Sequence, residues 1–338
     1  MQHKLNRVHN LLDENGHVIE AGWANEPLLH YRREDVKVDH NRLKEWDYYL
    51  IANENYGIAF SIANVGENSR LTANFMNYQT GEQYTDSEMV PSNPKLLTMP
   101  ENPYETIKFE TGRVKGTYIR DGYKTRIQVT FRDFFGKDLI ADIDLDLPKS
   151  DAMVIVIPFN EGKEMFYYNY KLNCIKPKGI CRYGDTEVEF SHETSFCVFD
   201  WGRGIWPNSN TWYWGSGSGI VDGNDFGFNI GYGFGNLDAA SENMLFFNGK
   251  AHKLEEITFH IPKNSFMEPW KFTSSDGRFE MDFVPVLDRS SSVKKGNYSS
   301  SQHQVFGKFT GTAILDDGTE IHLKDFFAFA EEVSNSWQ

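Results

Sequence analysis

Leu139-Ile140-Ala141-Asp142-Ile143-Asp144-Leu145-Asp146-Leu147 sets Ile143, Leu145 and Leu147 on one face of an extended chain and its aspartates on the other. Side chains of a strand alternate between faces with a period of two, so this stretch reads as a β-strand with one face on a core and one in water. The same period recurs along the chain. Residues 48–51 and 57–62 read as consecutive strands joined through Asn53-Glu54-Asn55. Residues 118–120 and 124–131 flank Asp121-Gly122, a hairpin signal, and Asp316-Asp317-Gly318 separates another pair. Helical periodicity is scarce. Residues 326–333 read either as one short helical turn or as the continuation of a strand.

The expectation is an all-β protein made of antiparallel strands. At 338 residues the chain exceeds the size at which one core usually stops growing, which points to two domains. Pro148-Lys149-Ser150-Asp151 and Asn160-Glu161-Gly162-Lys163 interrupt the alternation. The division is therefore expected at 1–160 and 161–338, with two β-barrel domains packed together. Residues 288–301, rich in Ser, Lys and Gly, read as a mobile loop. No solenoid or propeller repeat occurs.

Aromatic residues are abundant, with 26 Phe, 16 Tyr and 8 Trp, and 28 Gly serve the turns. Lys plus Arg total 34 against 48 for Asp plus Glu, a net charge of −14. Such a surface repels nucleic acid and anionic lipid, and the basic pieces Arg32-Arg33 and Lys294-Lys295 are short. No apolar run suits a signal peptide or a membrane span, so the expected setting is cytoplasmic. Cys174, Cys181 and Cys197 fit no zinc spacing and read as buried thiols in a reducing compartment. His252 and His260 lack a third ligand, so no metal site is expected. Gly231-Tyr232-Gly233-Phe234-Gly235 and Gly215-Ser216-Gly217-Ser218-Gly219 lack the Lys-Ser/Thr of a phosphate loop, so no nucleotide cofactor is expected either.

The stretch 196–220, FCVFDWGRGIWPNSNTWYWGSGSGI, concentrates the chemistry. Trp201, Trp206, Trp212 and Trp214 stand beside Asp200 and Arg203, and Trp212 and Trp214 share one strand face. Asp200 and Arg203 are expected to pair across a tight turn at Gly202 and Gly204. The cluster reads either as an enclosed small-molecule pocket or as barrel filling with an ionic strut. Glu193 is a second carboxyl candidate. His303, beside Gln302 and Gln304, is either an acid–base group or a structural hydrogen-bonder. Trp46, within Lys44-Glu45-Trp46-Asp47-Tyr48-Tyr49, repeats the aromatic-plus-acid theme. The candidate catalytic residues are thus Asp200, Glu193 and His303. The candidate ligand-binding residues are Trp46, Asn173, Trp201, Arg203, Trp206, Trp212, Trp214 and Gln304.

Phe199-Asp200-Trp201-Gly202-Arg203-Gly204-Ile205-Trp206-Pro207, followed by Trp212-Tyr213-Trp214-Gly215-Ser216, resembles the signature of a bacterial family known as domain of unknown function 2804. Gly22-Trp23-Ala24, 44–49, 169–174, 249–254 and His303-Gln304-Val305-Phe306-Gly307 add matches across nearly the whole chain. That family is similar, at fold level, to a lipocalin-like superfamily of two β-barrel domains that includes tocopherol cyclase and the hydratase of hydroxyneurosporene synthesis. The resemblance implies protonation of an alkene by a carboxylic acid, then ring closure or water addition, without a cofactor. No catalytic acid of those relatives aligns onto a residue here.

Two readings follow. One is a cofactor-free acid–base enzyme, a hydratase, cyclase, isomerase or lyase, acting on a terpenoid, a lipid or a carbohydrate. The other is a protein that binds a hydrophobic small molecule without turnover.

Overall fold

The computed structural model describes residues 2–296 and 298–337. Apart from the short 3-10 segments Arg33–Asp35 and His40–Arg42, the regular structure of the described residues is strand. None of their helices is long and apolar enough to cross a membrane. The strand that the sequence marks most clearly spans Lys137–Asp146; Leu139, Ala141, Ile143 and Leu145 are buried, and the residues between them are not. Beside it, strands Val114–Asp121 and Lys124–Phe134 close a tight hairpin in which Gly122 takes φ 57°, a conformation costly for residues with a Cβ.

Two curled antiparallel sheets make the fold. In spatial order the first contains Glu82–Pro91, Asn68–Asn77, Tyr56–Val65, Leu43–Ala52, Phe196–Ile205, Phe166–Tyr183, Lys137–Asp146, Lys124–Phe134, Val114–Asp121 and Ile107–Glu110. The second contains Lys250–Lys253, Met244–Phe247, Asn224–Tyr232, Ser209–Val221, Glu320–Trp337, Tyr298–Ile314, Phe279–Lys295, Trp270–Ser274 and Ile257–His260. Each sheet curls around its own apolar core. Phe60, Phe109, Phe131 and Phe134 belong to the first core, and Phe226, Phe272, Phe283 and Phe309 to the second. Each buried phenylalanine contributes about 1.5–3 kcal/mol relative to exposure.

A third cluster joins the sheets back to back, and strand alternation fills it. Strand Leu43–Ala52 sends Leu43, Tyr49 and Ile51 into the first core and Trp46, Tyr48 and Leu50 into the seam. Strand Phe196–Ile205 buries Phe199 and Trp201 on the core side and Val198 in the seam. From the second sheet come Trp212, Trp214, Phe306, Phe327 and Phe329. The long strand Phe166–Tyr183 shifts register between Leu172 and Ile175, where Cys174 takes φ 59°. This bulge lets one strand serve both halves of the first sheet.

Four expectations change. Residues 166–183 and 196–205 lie inside the first sheet, and the chain enters the second at Ser209 rather than near 160. The prolines and glycines of 148–162 bound strand Met153–Pro158, a member of the first sheet. Gly202 and Gly204 make no turn, since Phe196–Ile205 is one continuous strand. Most of 288–301 is the paired end of the hairpin between Phe279–Lys295 and Tyr298–Ile314, though Asn297 in that span is outside the described residues. Its serines remain compatible with a strand because cross-strand pairing supplies their backbone partners. Residues 326–333 continue strand Glu320–Trp337.

Candidate functional site in the seam between the sheets

Asp200 projects from the seam face of its strand, one residue out of phase with Phe199 and Trp201. Its Oδ1 accepts from Asn169 Nδ2 at 2.6 Å, and its Oδ2 accepts from the Trp46 indole at 3.1 Å. Lys171 Nζ stands 3.9 Å from Oδ1. That ammonium donates to Glu242 Oε2 at 2.8 Å and to the Tyr167 hydroxyl at 3.0 Å, and lies 4.9 Å from the centre of the Trp214 ring. Burial pushes the Glu242 carboxyl up, and Lys171 opposes this. A buried cation between two carboxyls is stable only when donors and charges match this closely.

Glu331 comes from the second sheet. Its Oε1 accepts from the Trp212 indole at 3.0 Å, and its Oε2 accepts from Gln304 Nε2 at 2.9 Å. Burial pushes this carboxyl up to about 7, Asp200 adds to the rise, and Trp212, Arg289 and Gln304 resist it. Desolvation wins, which leaves a carboxyl able to hold or release a proton near neutrality.

Aromatic rings enclose these groups. Trp206 lies 5.3 Å from both Trp212 and Tyr167 and 6.1 Å from Trp46, and Trp214 lies 6.1 Å from Tyr48. Several polar atoms here, Trp206 Nε1, Asn169 Oδ1 and Glu242 Oε1, are buried without a hydrogen-bond partner among the described residues. Native interiors rarely leave such atoms unmatched, and a ligand is one way to satisfy them. A groove of about 640 Å³ opens between the sheets beside this cluster. Its floor includes Leu50, Val198, Ser216, Phe306 and Phe329. Each is the next same-face neighbour of Tyr48, Asp200, Trp214, Gln304 and Glu331 respectively.

The structure brings Trp46, Asp200, Trp206, Trp212, Trp214 and Gln304 to this seam and sends other candidates elsewhere. Arg203 and Trp201 face the first core. Arg203 donates to Asp47 at 3.0 Å and to the Pro100 carbonyl at 2.7 Å, and stacks over Trp201 at 4.1 Å. The expected Asp200–Arg203 pair does not form, because residues three apart on a strand point to opposite faces. Asn173 bolts the sheets together, donating to Ser216 Oγ at 2.9 Å and to the Gly217 and Phe228 carbonyls at 3.1 Å. His303 points away from Gln304; its Nδ1 meets Asp288 at 2.8 Å and its ring stacks 3.8 Å from Phe266. Glu193 is exposed at the groove rim, and the Ser191 hydroxyl lowers its pKa. Cys174, Cys181 and Cys197 are free and buried, and burial raises all three thiols. Among the described residues, no group of three or more His, Cys, Asp or Glu is placed to hold a metal ion.

The sequence reading missed Lys171, Glu242, Glu331 and Arg289. A signal existed for the first. Asn169, Lys171 and Asn173 form a polar stripe of period two in a strand whose other face, Tyr168, Tyr170 and Leu172, is apolar. Glu331 similarly continues the face of Phe327 and Phe329.

Back-to-back curled sheets with a charged, tryptophan-walled seam define a lipocalin-like two-barrel protein. The chain belongs to the family described as Domain of unknown function (DUF2804), whose model matches residues 2–337. Its fold is similar to that of the Nitrosomonas europaea protein NE1406, at 12% identity over 92% of this chain and 98% of that one, with a TM-score of 0.56. It is also similar to CghA with Sch210972 (9% identity, 88% of each chain, TM-score 0.53). A third similar structure is kievitone hydratase from Nectria haematococca (11% identity, 87% of this chain and 89% of that one, TM-score 0.50). No curated protein matches the sequence.

Proposed function

We propose that this chain is a cofactor-free acid–base enzyme of the hydratase, cyclase, isomerase or lyase type. It acts on a small molecule held in the seam, with Glu331 as the proton donor and acceptor. The observation that carries this is the Glu331 carboxyl: buried, aimed by Trp212 and Gln304, and pushed up to about 7. General acid–base groups work best with a pKa near the working pH, and such a group typically accounts for about 10²–10⁴-fold in rate. The fold's similarity to a kievitone hydratase supports the class of reaction.

In a hydration, Glu331 gives its proton to one alkene carbon. The cation that forms on the other carbon is shielded by the faces of Trp206, Trp212 and Trp214, whose ring electrons favour positive charge. The Asp200 carboxylate adds long-range stabilisation. Water then forms the new C–O bond and its proton returns to Glu331, so nothing is consumed but alkene and water. In an isomerisation the cation instead loses a neighbouring proton. This replaces the earlier assignment to Asp200, Glu193 or His303. Asp200 is engaged by two donors with the Lys171 ammonium beside it, Glu193 is solvated, and His303 faces the wrong way.

The test incubates the protein with small-molecule extract in D2O and reads masses. Wild type should add the mass of heavy water, or exchange deuterium into one component, and Glu331→Gln should lose this by at least about 10²-fold. If native mass spectrometry shows a retained molecule that wild type leaves unchanged in D2O, the protein binds without turnover and the proposal fails.

A further inference from the structure

Arg289 stands in the seam from the second sheet, and its surroundings lack what a guanidinium normally has. Its Nε donates to Gln304 Oε1 at 3.1 Å, and one terminal nitrogen donates to Asn74 Oδ1, across the seam, at 2.8 Å. Both partners are neutral amides that are themselves fixed. Thr85 holds Asn74 Oδ1 at 2.7 Å, and Gln304 is tied to Glu331. The second terminal nitrogen has no hydrogen bond to the described residues and is not sealed from solvent, so it is open to an incoming group. No carboxylate among the described residues comes within ion-pair distance of this cation, although Glu331 feels its charge. Partly buried cations are ordinarily paired, because desolvation is otherwise uncompensated. Around the same cation, the Tyr78 hydroxyl is buried with no hydrogen bond among the described residues, and the buried Tyr48 hydroxyl, with the Gln304 amide beside it, has no acceptor for its proton there. The surplus is of donors. What is missing is an acceptor, ideally an anionic oxygen.

We propose that Arg289, with Tyr48 beside it, is an oxyanion-recognition site, and that the substrate or ligand of the seam is an apolar molecule carrying a carboxylate or comparable anionic oxygen. This rests on the seam being the ligand site and adds the chemical class of what enters it. The geometry suits the task. Guanidinium nitrogens bind carboxylates with charge-assisted hydrogen bonds, and the clamp by Asn74 and Gln304 holds the plane in place before the ligand arrives. The apolar floor of the groove, with Phe306 and Phe329, accepts the body of the molecule. The site is also coupled to Glu331 through Gln304, which touches both. An anion on Arg289 cancels the positive charge that resists protonation of Glu331, so arrival of the ligand favours the proton-loaded acid.

The test compares two probes of one shape, 2-naphthoate and 2-naphthalenemethanol, by quenching of tryptophan fluorescence at neutral pH. Wild type should bind 2-naphthoate at least about tenfold more tightly, the preference a single charge-assisted contact supplies. Arg289→Gln should bring the ratio near one without weakening 2-naphthalenemethanol. Arg289→Lys should keep part of the preference, and Tyr48→Phe should reduce it in a protein whose charge is unchanged. Equal affinities in wild type, a preference that survives Arg289→Gln, or no binding of 2-naphthoate would each overturn the inference. Equal binding of both probes would leave the seam as the ligand site and the acid–base proposal intact, because the D2O experiment does not depend on Arg289.

Discussion

The Trp46 indole reaches Asp200 by occupying the space above Gly202. A Cβ on Gly202 would stand 2.0 Å from Cζ2 of the Trp46 ring, while the indole N–H donates to Asp200 Oδ2 at 3.1 Å. Gly202 pairs with Trp46 in register, so the ring lies across the neighbouring strand and not beside it. The glycine is required for close approach and not for backbone freedom. Gly202→Ala should therefore push Trp46 off Asp200. Overpacking of this kind costs about 1–3 kcal/mol. Urea unfolding should show that loss, and the fluorescence of the folded variant should approach that of Trp46→Phe. Unchanged stability and emission would mean that the ring has room to yield.

Arg203 and Asp200 sit on one strand and should behave as members of different systems. Arg203→Met leaves Asp47 with Arg120 alone, at 2.7 Å, and Glu45 with Arg33 at 2.9 Å. Breaking a buried ionic network costs about 3–5 kcal/mol. Where the variant remains folded, its affinity for 2-naphthalenemethanol should match wild type, because Arg203 faces the first core. A weakened affinity at full folding would put Arg203 back in the pocket.

Glu331 should impose a pH dependence on stability that Glu331→Gln removes. Its folded pKa of about 7 lies above the ordinary value of 4.5, so the folded state holds the proton more tightly than the unfolded chain. The stability this contributes is fully present below about 4.5 and is lost as pH rises to about 7 and beyond. The loss for this one group is about 3 kcal/mol, at 1.36 kcal/mol per pKa unit. Subtracting the Glu331→Gln curve from wild type isolates it from the other titrating groups. A difference curve flat between pH 4.5 and 8 would show that the carboxyl is not raised.

Strand alternation made the all-β architecture and the curled antiparallel sheets legible from residues such as 139–147 and the Asp121-Gly122 turn. The sheet to which a strand belongs was not legible. Pro148 and Gly162 look like a linker in sequence, yet one partner of Phe196–Ile205 lies more than a hundred residues earlier, at Leu43–Ala52, and nothing local encodes that pairing. At the site, the tryptophans and Asp200 announced themselves by clustering. Arg203 misled because charge proximity in sequence was read without strand parity. Glu331 stayed hidden because it ends the apolar face of Phe327 and Phe329, and Lys171 because its stripe with Asn169 and Asn173 reads as a solvated strand face; only the meeting of two sheets gives each its partners.

Access to the seam supplies the final prediction. The groove floor and the polar cluster share strand faces, so a ligand entering past Ala52 and Ser218 advances two residues along each strand to meet Tyr48, Asp200 and Glu331. Ala52 follows Leu50, Tyr48 and Trp46 on the seam face and lines the groove. Ala52→Trp adds an indole at that position while leaving every hydrogen bond of Asp200, Lys171 and Glu331 in place. The association rate of 2-naphthalenemethanol should fall by at least about tenfold, since a narrowed entrance acts on approach more than on the bound state. The pH dependence attributed to Glu331 should persist in this variant, because its carboxyl keeps Trp212 and Gln304. Stopped-flow fluorescence reads the first quantity and urea unfolding at two pH values the second. An unchanged association rate with the indole in place would show that ligands reach the acid by another route, and the groove would then have no part in the chemistry.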